Sequence, residues 1–307
     1  MKTTLVAVSI ILGAGAGTSM ISAAAIPQSA PVQVTVNGRT WTQQELFQRN
    51  LGSREDQTTA FPPHNVIGNI YYVGTTSLSS YLITTPQGHI LVNSTYERNV
   101  PIIQHSVEAL GFKFSDIKIL LGSHAHADHQ EGDALVKQLT GAQVVAMAED
   151  VPALRAMTPG GKPHPIDRII HDRDTVTLGG TTLVAYLTPG HTRGCTTWTM
   201  TVAAGGKSSH VVIIGSLGVN PGYRLVDNPE IPHQVDEYTR AFKVSRELPC
   251  DVPLASHPAM YNMAQKYARL AQGGPNPFID PAGYKAELDL DEAMFHAVLA
   301  AQQKEKQ

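Results

Sequence analysis

The stretch Ser123-His124-Ala125-His126-Ala127-Asp128-His129 places three histidines and one aspartate within six residues, directly after the apolar run 117–121. Imidazole nitrogens and carboxylate oxygens are the ligands that zinc takes, at about 2.0–2.2 Å. In an extended segment, His124 and His126 alternate and point to the same side, so they can share one ion. Asp128 and His129 lie where the chain turns into a helix and can face a second ion. The alternative is a polar loop whose histidines meet solvent, and the clustering of four ligand-type residues at a strand end argues against it.

Two further histidines follow predicted strands in the same way. His191 lies in Thr188-Pro189-Gly190-His191-Thr192, after the strand that ends at Leu187, and His257 follows the strand that ends near Ala255. A lone histidine in such a setting is more often structural than a metal ligand. Because both accompany an incomplete metal cluster, we predict that they complete it.

Composition narrows the class of protein. The chain has 307 residues, 42% of them apolar and 16% charged, which is typical of a soluble globular enzyme. A formal charge of −3 gives no positive electrostatic field that would attract polyanions, so we expect no nucleic-acid partner. No low-complexity linker or repeat requires a second domain, and we predict one domain over 26–307, with an N-terminal arm over 26–65 that contains one helix near 42–49.

The first 25 residues are predicted to be a cleaved signal peptide. Met1-Lys2 is a short basic start, 5–12 is an apolar core, and Ala23-Ala24-Ala25 provides an A-x-A cleavage pattern. A membrane anchor or a buried helix is the alternative, but the apolar core is too short to span a bilayer and glycines flank it. We therefore expect a periplasmic or secreted enzyme with no membrane attachment after cleavage.

From residue 67 onward, short β-rich runs alternate with helical patterns. Strands are predicted over 69–73, 80–84, 89–93, 117–121, 143–147, 181–187, 196–202, 210–214 and 252–255. Helices are predicted over 100–110, 134–139 and 234–248, and from Pro281, with Asp280 as N-cap. This mixture indicates two sheets layered between helices, with the polar clusters along one sheet edge.

The motif order resembles that of a known family. His124-Ala125-His126-Ala127-Asp128-His129 matches the H-x-H-x-D-H signature of the metallo-β-lactamase superfamily, and Gly190-His191 matches its next ligand motif. The resemblance covers about 61–284 and implies an α+β fold, the αββα sandwich with two sheets packed between helices. It is weaker for substrate, because the superfamily also holds thioesterases, lactonases and phosphodiesterases.

The residue at position 216 indicates which subclass of the superfamily the chain resembles. Hydrolases such as glyoxalase II usually carry a metal-bridging aspartate where this chain has Ser216 in Gly215-Ser216, and most β-lactamases of the first two subclasses carry cysteine there. Serine at this place is typical of subclass B3, which uses the last histidine of H-x-H-x-D-H as a ligand. Gly194-Cys195-Thr196-Thr197-Trp198 and Asn220-Pro221-Gly222-Tyr223 also resemble that subclass.

The resemblance implies two Zn²⁺ ions per chain, one held by His124, His126 and His191 and the other by Asp128, His129 and His257. Three neutral imidazoles leave an open position where bound water has a pKa near about 7, and the resulting hydroxide would attack the β-lactam carbonyl. Asp128 is also expected to orient that hydroxide. Ser216 is expected to bind the substrate carboxylate, or else only to fill the space of a lost ligand.

These features predict a monomeric β-lactamase that opens penicillins, cephalosporins and carbapenems and so confers antibiotic resistance. A lactonase or thioesterase on the same scaffold is the rival enzyme, and an exported zinc-binding protein without catalysis is the rival from another class.

The chain also departs from the family pattern. Gly218 stands where relatives often have a second hydroxyl residue, and the loop over 151–168 is predicted to be short. Whether Cys195 and Cys250 pair is left open by the sequence.

Overall fold

A computed structural model of the chain describes residues 31–306. The predicted signal peptide, 1–25, lies outside the described residues. Among the residues that are described, no helix is both long enough and apolar enough to cross a membrane.

The described strands, in chain order, are β1 (Gln33–Val36), β2 (Arg39–Thr42), β3 (His64–Ile67), β4 (Ile70–Tyr72), β5 (Tyr81–Thr85), β6 (Gly88–Val92), β7 (Ile117–Leu121), β8 (Gln143–Met147), β9 (Arg168–Ile170), β10 (Thr175–Leu178), β11 (Thr181–Leu187), β12 (Thr196–Ala204), β13 (Lys207–Ile214) and β14 (Val252–Ala255). The α-helices are α1 (Gln43–Leu51), α2 (Val100–Ala109), α3 (Ala127–Gln130), α4 (Asp133–Thr140), α5 (Val151–Ala156), α6 (Gln234–Glu247), α7 (Met263–Leu270) and α8 (Pro281–Lys304).

Within residues 31–306 the strands form two main sheets and a hairpin. The first sheet has the order β3-β4-β5-β6-β7-β8-β9, the second has the order β10-β11-β12-β13-β14, and β1 pairs with β2. The strands β6 to β9 are parallel, as are β13 and β14, while the remaining neighbours are antiparallel. The predicted αββα sandwich is therefore confirmed.

Both faces of the first sheet are buried, and its successive side chains point to opposite faces. Ile90 and Val92 of β6 belong to the core between the sheets, whereas Leu91 belongs to a second core. That second core contains Ile103 and Val107 of α2, which cover the outer face of the sheet. On the opposite side of the molecule, the aromatic residues of α6 and α8 pack against each other and join the central core.

The central elements were predicted with the greatest accuracy. The observed bounds of β7, β8, β11 and β14 equal the predicted ones, and α8 begins at Pro281 with the Asp280 side chain accepting a hydrogen bond from Gly283 N. Trp198, in β12, is 1% exposed, and its Nε1 donates to the carbonyl oxygen of Gly122 at 2.9 Å.

The sequence interpretation missed elements at the margins. The edge strands β3, β9 and β10 have three or four residues, too few for a clear alternating pattern. The N-terminal arm contains the predicted helix, α1, but also the hairpin β1–β2. Its turn, Asn37-Gly38, has φ values of 52° and 77°, and this dipeptide is a strong hairpin signal that was overlooked. Similarly, 151–168 is not all loop, because α5 occupies its first six residues.

Candidate metal centre

The topology brings the polar clusters to one edge of the molecule. Because β11, β13 and β14 run in the same direction, their carboxyl ends lie at the same edge of the second sheet. His191, Ser216 and His257 each follow one of these ends. In the first sheet, the parallel strand β7 ends at Leu121, directly before the histidine-rich segment. Ligand-type residues placed after the carboxyl ends of strands are typical of α/β sites.

The first candidate group consists of His124, His126 and His191. Each residue offers one nitrogen, and these nitrogens lie within 4.8 Å of one another. The ring centroids are 4.7 to 4.8 Å apart in all three pairs. Such convergence of three imidazoles matches the donor set of a tetrahedral ion with an open fourth position.

The second group consists of Asp128, His129 and His257, whose donor atoms also lie within 4.8 Å of one another. Asp128 Oδ2 is 3.3 Å from His129 Nε2 and 3.7 Å from His257 Nε2. The rings of His124 and His129 have centroids 4.2 Å apart, so the two groups are adjacent.

Several ring nitrogens are fixed by partners on the side away from the groups. His191 Nδ1 lies 2.7 Å from the carbonyl oxygen of Gly218, and His257 Nδ1 lies 3.1 Å from that of Ser77. His124 Nδ1 is 3.2 Å from Ser123 Oγ. Since each of these contacts occupies Nδ1, the Nε2 atom is left for the group. Such partners orient the histidine ligands of metal sites.

The protonation states suit metal ligands. Burial, reinforced by the neighbouring histidines, lowers the pKa of His124 and His191 well below the usual value. Burial and then His129 lower the pKa of His257 to about 4. Burial alone would raise the pKa of Asp128, but the neighbouring histidines, above all His129, outweigh it and hold that pKa below its usual value. His124, His191 and His257 are therefore neutral and Asp128 is ionised at neutral pH.

Buried atoms without a partner provide a test of whether the residues fit metal ions. Among the described residues, His124 Nε2 and His129 Nδ1 are buried and have no hydrogen-bond partner. Buried polar groups are rarely left unpaired unless a ligand satisfies them. Each of the two groups therefore contains a buried nitrogen without a partner, which fits a role in metal binding.

The two groups open into two cavities. The smaller, of about 240 Å³, is lined by Phe47 and Leu51 of α1 and by five residues of the predicted site: His126, Asp128, His191, Ser216 and His257. The larger, of about 680 Å³, extends from His126 and His191 past Pro152, Tyr223 and Gln234. Together they offer the volume that a small-molecule substrate needs.

All the residues predicted for the site are brought together there, including Ser216, which is 3% exposed and lines the smaller cavity. Their roles as ligands and substrate contacts stay predictions.

The cysteines are both free thiols, so Cys195 and Cys250 do not pair. His64 and His89, which belong to neither group, are also buried, each 8% exposed.

Sequence reasoning missed three contributors. Phe47 gave no signal, because only the tertiary structure brings α1 to the cavity. Tyr223 places its hydroxyl 3.3 Å from His126 Nε2 and donates to the carbonyl oxygen of His191 at 3.1 Å. Asp150 accepts hydrogen bonds from the two loops that carry the first group. Its position before Val151-Pro152 predicts only a helix cap.

Comparison with known proteins is consistent with this geometry. The family model for the metallo-beta-lactamase superfamily matches residues 73–257. The FEZ-1 metallo-beta-lactamase from Legionella gormanii is 47% identical, with a TM-score of 0.78, over 80% of this chain and 98% of that chain. The class B3 di-zinc metallo-beta-lactamase LRA-12 from an Alaskan soil metagenome is 31% identical, with a TM-score of 0.74, over 80% of this chain and 96% of that chain.

Curated relatives match over shorter segments. A hydroxyacylglutathione hydrolase from Hyphomonas neptunium is 30% identical over 37% of this chain and 40% of that protein. The chain spans less than half the length of the curated relatives that it matches.

Proposed function

The chain belongs to the metallo-β-lactamase superfamily and resembles its subclass B3, and we propose that it is a zinc-dependent β-lactamase that hydrolyses penicillins, cephalosporins and carbapenems. The observation that carries this proposal is the 47% identity to a metallo-beta-lactamase over 98% of that enzyme's chain. Ser216 supports it, because it stands where glyoxalase II-like hydrolases usually have a bridging aspartate.

We assign one zinc ion to His124, His126 and His191 and a second to Asp128, His129 and His257. The di-zinc relative supports this count. Zinc bound there would supply Lewis acidity, which lowers the pKa of water and polarises a carbonyl group.

The chain's own residues then bind and orient the reactants. Asp128, ionised at neutral pH, accepts a hydrogen bond from the attacking water. This contact directs a lone pair of the water oxygen toward the lactam carbonyl carbon. Ser216 donates its hydroxyl to the substrate carboxylate from the wall of the smaller cavity. The larger cavity receives the substituents of the bicyclic ring, and no covalent acyl-enzyme is required.

A thioesterase or lactonase is the second candidate, and the match to a hydroxyacylglutathione hydrolase favours it. The same metal groups would serve an acyl bond of either kind, since all three reactions begin with attack of water on a carbonyl carbon. The shorter matched length and Ser216 make this candidate the weaker one.

The proposal includes the cellular setting. We place the mature enzyme, a monomeric single domain over 26–307, in the periplasm or outside the cell after removal of residues 1–25.

The decisive experiment is hydrolysis of a chromogenic cephalosporin by the purified mature chain, with and without added zinc. A homoserine lactone and a hydroxyacylglutathione thioester serve as parallel substrates. Fast, zinc-dependent opening of the cephalosporin, with both other substrates inert, is the expected result. If the cephalosporin is inert and the lactone or the thioester is turned over rapidly, the chain is a lactonase or thioesterase and not a β-lactamase.

A further inference from the structure

Asp150 is a buried carboxylate outside the two metal groups. It follows β8 at the end of a 3-10 turn, directly before α5, and is 3% exposed. An aspartate at this position ordinarily caps the helix through its side chain. Asp150 makes no such cap hydrogen bond, and its carboxylate is directed to two loops instead.

The carboxylate accepts three hydrogen bonds. Oδ2 accepts from Ala125 N at 2.8 Å and from Thr192 Oγ1 at 2.9 Å, while Oδ1 accepts from Gly194 N at 2.7 Å. Ala125 lies between His124 and His126, and Thr192 follows His191. Each histidine of the first group is therefore covalently bonded to a residue that Asp150 holds.

Gly194 makes this approach possible. A Cβ atom added at Gly194 would lie 2.4 Å from Asp150 N and 2.6 Å from Asp150 Cβ, closer than such atoms can come. The neighbouring strand reinforces the junction, because Thr196 N donates to the carbonyl oxygen of Ser123 at 2.8 Å. The two loops thus meet at one side chain, and nothing larger than glycine fits between.

We propose that Asp150 is the positioning residue of the three-histidine group, and that it sets the spacing between the loop of His124 and His126 and the loop of His191. The inference rests on the proposed function only in taking that group as a metal site. Three neutral imidazoles contribute no negative charge to balance a divalent cation. The buried carboxylate of Asp150, which is hydrogen-bonded to residues adjacent to these histidines, therefore also favours binding of the cation. All three partners of Asp150 donate, which suits an ionised carboxylate.

The test is metal binding by Asp150→Asn, measured without any substrate. The amide keeps the shape of the carboxylate but turns one acceptor into a donor, which then faces a backbone N–H. We expect metal affinity of the three-histidine group to fall by about 10–100-fold, the usual effect of losing a supporting partner. Titration with Co²⁺, followed by absorption and by competition with a chelator, resolves the two groups. His191→Ala identifies which binding step belongs to the first group.

Asp251→Asn is the matched control. Asp251 Oδ2 accepts from His210 N at 2.8 Å, at the end of β14 away from the metal groups, so this variant also loses a charge and a backbone contact. We expect it to bind Co²⁺ as the unmodified chain does. Thr192→Val removes one of the three bonds to Asp150 and should weaken the first step less than Asp150→Asn does.

Unchanged affinity in folded Asp150→Asn, or equal losses in Asp150→Asn and Asp251→Asn, would overturn the proposal. If Asp150→Asn does not fold, unchanged affinity in Thr192→Val overturns it. Absence of cephalosporin turnover would refute the proposed function alone, since the metal titration does not depend on it.

Discussion

The carbonyl oxygen of Gly218 lies 2.7 Å from His191 Nδ1 and also accepts a hydrogen bond from the Tyr238 hydroxyl at 2.9 Å. The contact directs His191 Nε2 toward His124 and His126, and it connects the loop after β11 to the loop after β13. Because Ser216 lies two residues before Gly218, the metal group and the proposed substrate contact share one support.

Replacing His191 should remove the first metal ion while leaving the fold intact. The ring lies at the cavity wall and its loss leaves only two imidazoles, too few to hold the ion. We expect His191→Ala to bind one ion fewer than the unmodified chain and to lose nearly all hydrolysis. Metal analysis after gel filtration, with circular dichroism as the control for folding, checks this. Retention of the full metal content would refute the ligand assignment.

Chelation should abolish activity reversibly. The nucleophile of the proposed reaction depends on metal, and the metal groups are formed by separate loops on a sheet edge, so the apo-protein should stay folded. We expect activity to disappear after prolonged dialysis against a chelator and to return when zinc is added. Activity that survives with no residual metal would contradict the proposed mechanism.

Ser216→Ala should affect substrate binding more than turnover. A hydrogen bond to a charged group contributes about 1.5–3 kcal/mol, and 1.4 kcal/mol corresponds to a factor of ten. We therefore expect KM for a cephalosporin to rise about tenfold or more, with little change in kcat. Steady-state kinetics at matched metal content separate the two constants. Unchanged KM would mean that Ser216 only fills space.

Trp198→Ala should destabilise the fold strongly. The side chain is 1% exposed between the sheets, and its indole donates to Gly122, just before the histidine-rich segment. Removal of a buried aromatic side chain costs about 3–5 kcal/mol. Urea denaturation of the metal-free protein measures the change, and Leu139→Ala is the control. Leu139 is 46% exposed, so its loss should change the free energy of unfolding by about 0.5 kcal/mol or less.

His164 should make stability depend on pH. Burial acts to lower its pKa, but the hydrogen bond and charge of Asp133, with help from two carbonyl oxygens, outweigh burial and raise it. A raised pKa means that the folded state binds the proton more tightly, so this contribution is complete below about pH 6.5 and is lost as pH rises through the folded value. The stability difference between the unmodified chain and His164→Gln should therefore shrink as pH rises above about 6.5. Urea denaturation across this range measures it, and a difference that grows with pH would contradict the assignment.

The amino-acid sequence was sufficient for the inner part of the molecule. The short apolar runs of β7 and β8 and the alternating pattern of β11 indicate strands, and the observed bounds equal the predicted ones. The ligand-type residues of the H-x-H-x-D-H segment identify themselves by type and spacing. The places of His191 and His257 after predicted strand ends, beside an incomplete metal cluster, were enough to predict that they join this segment.

Only the tertiary structure decided which further residues reach the site and what they do there. Asp150 is 22 residues from Asp128 along the chain, and its local sequence predicts a helix cap, yet its carboxylate binds two distant loops. Phe47 reaches the cavity because α1 packs beside it, although nothing in residues 43–51 indicates a site. The physical reason is that metal ligands are recognised by their own chemistry, whereas a supporting contact depends on which segments packing brings together.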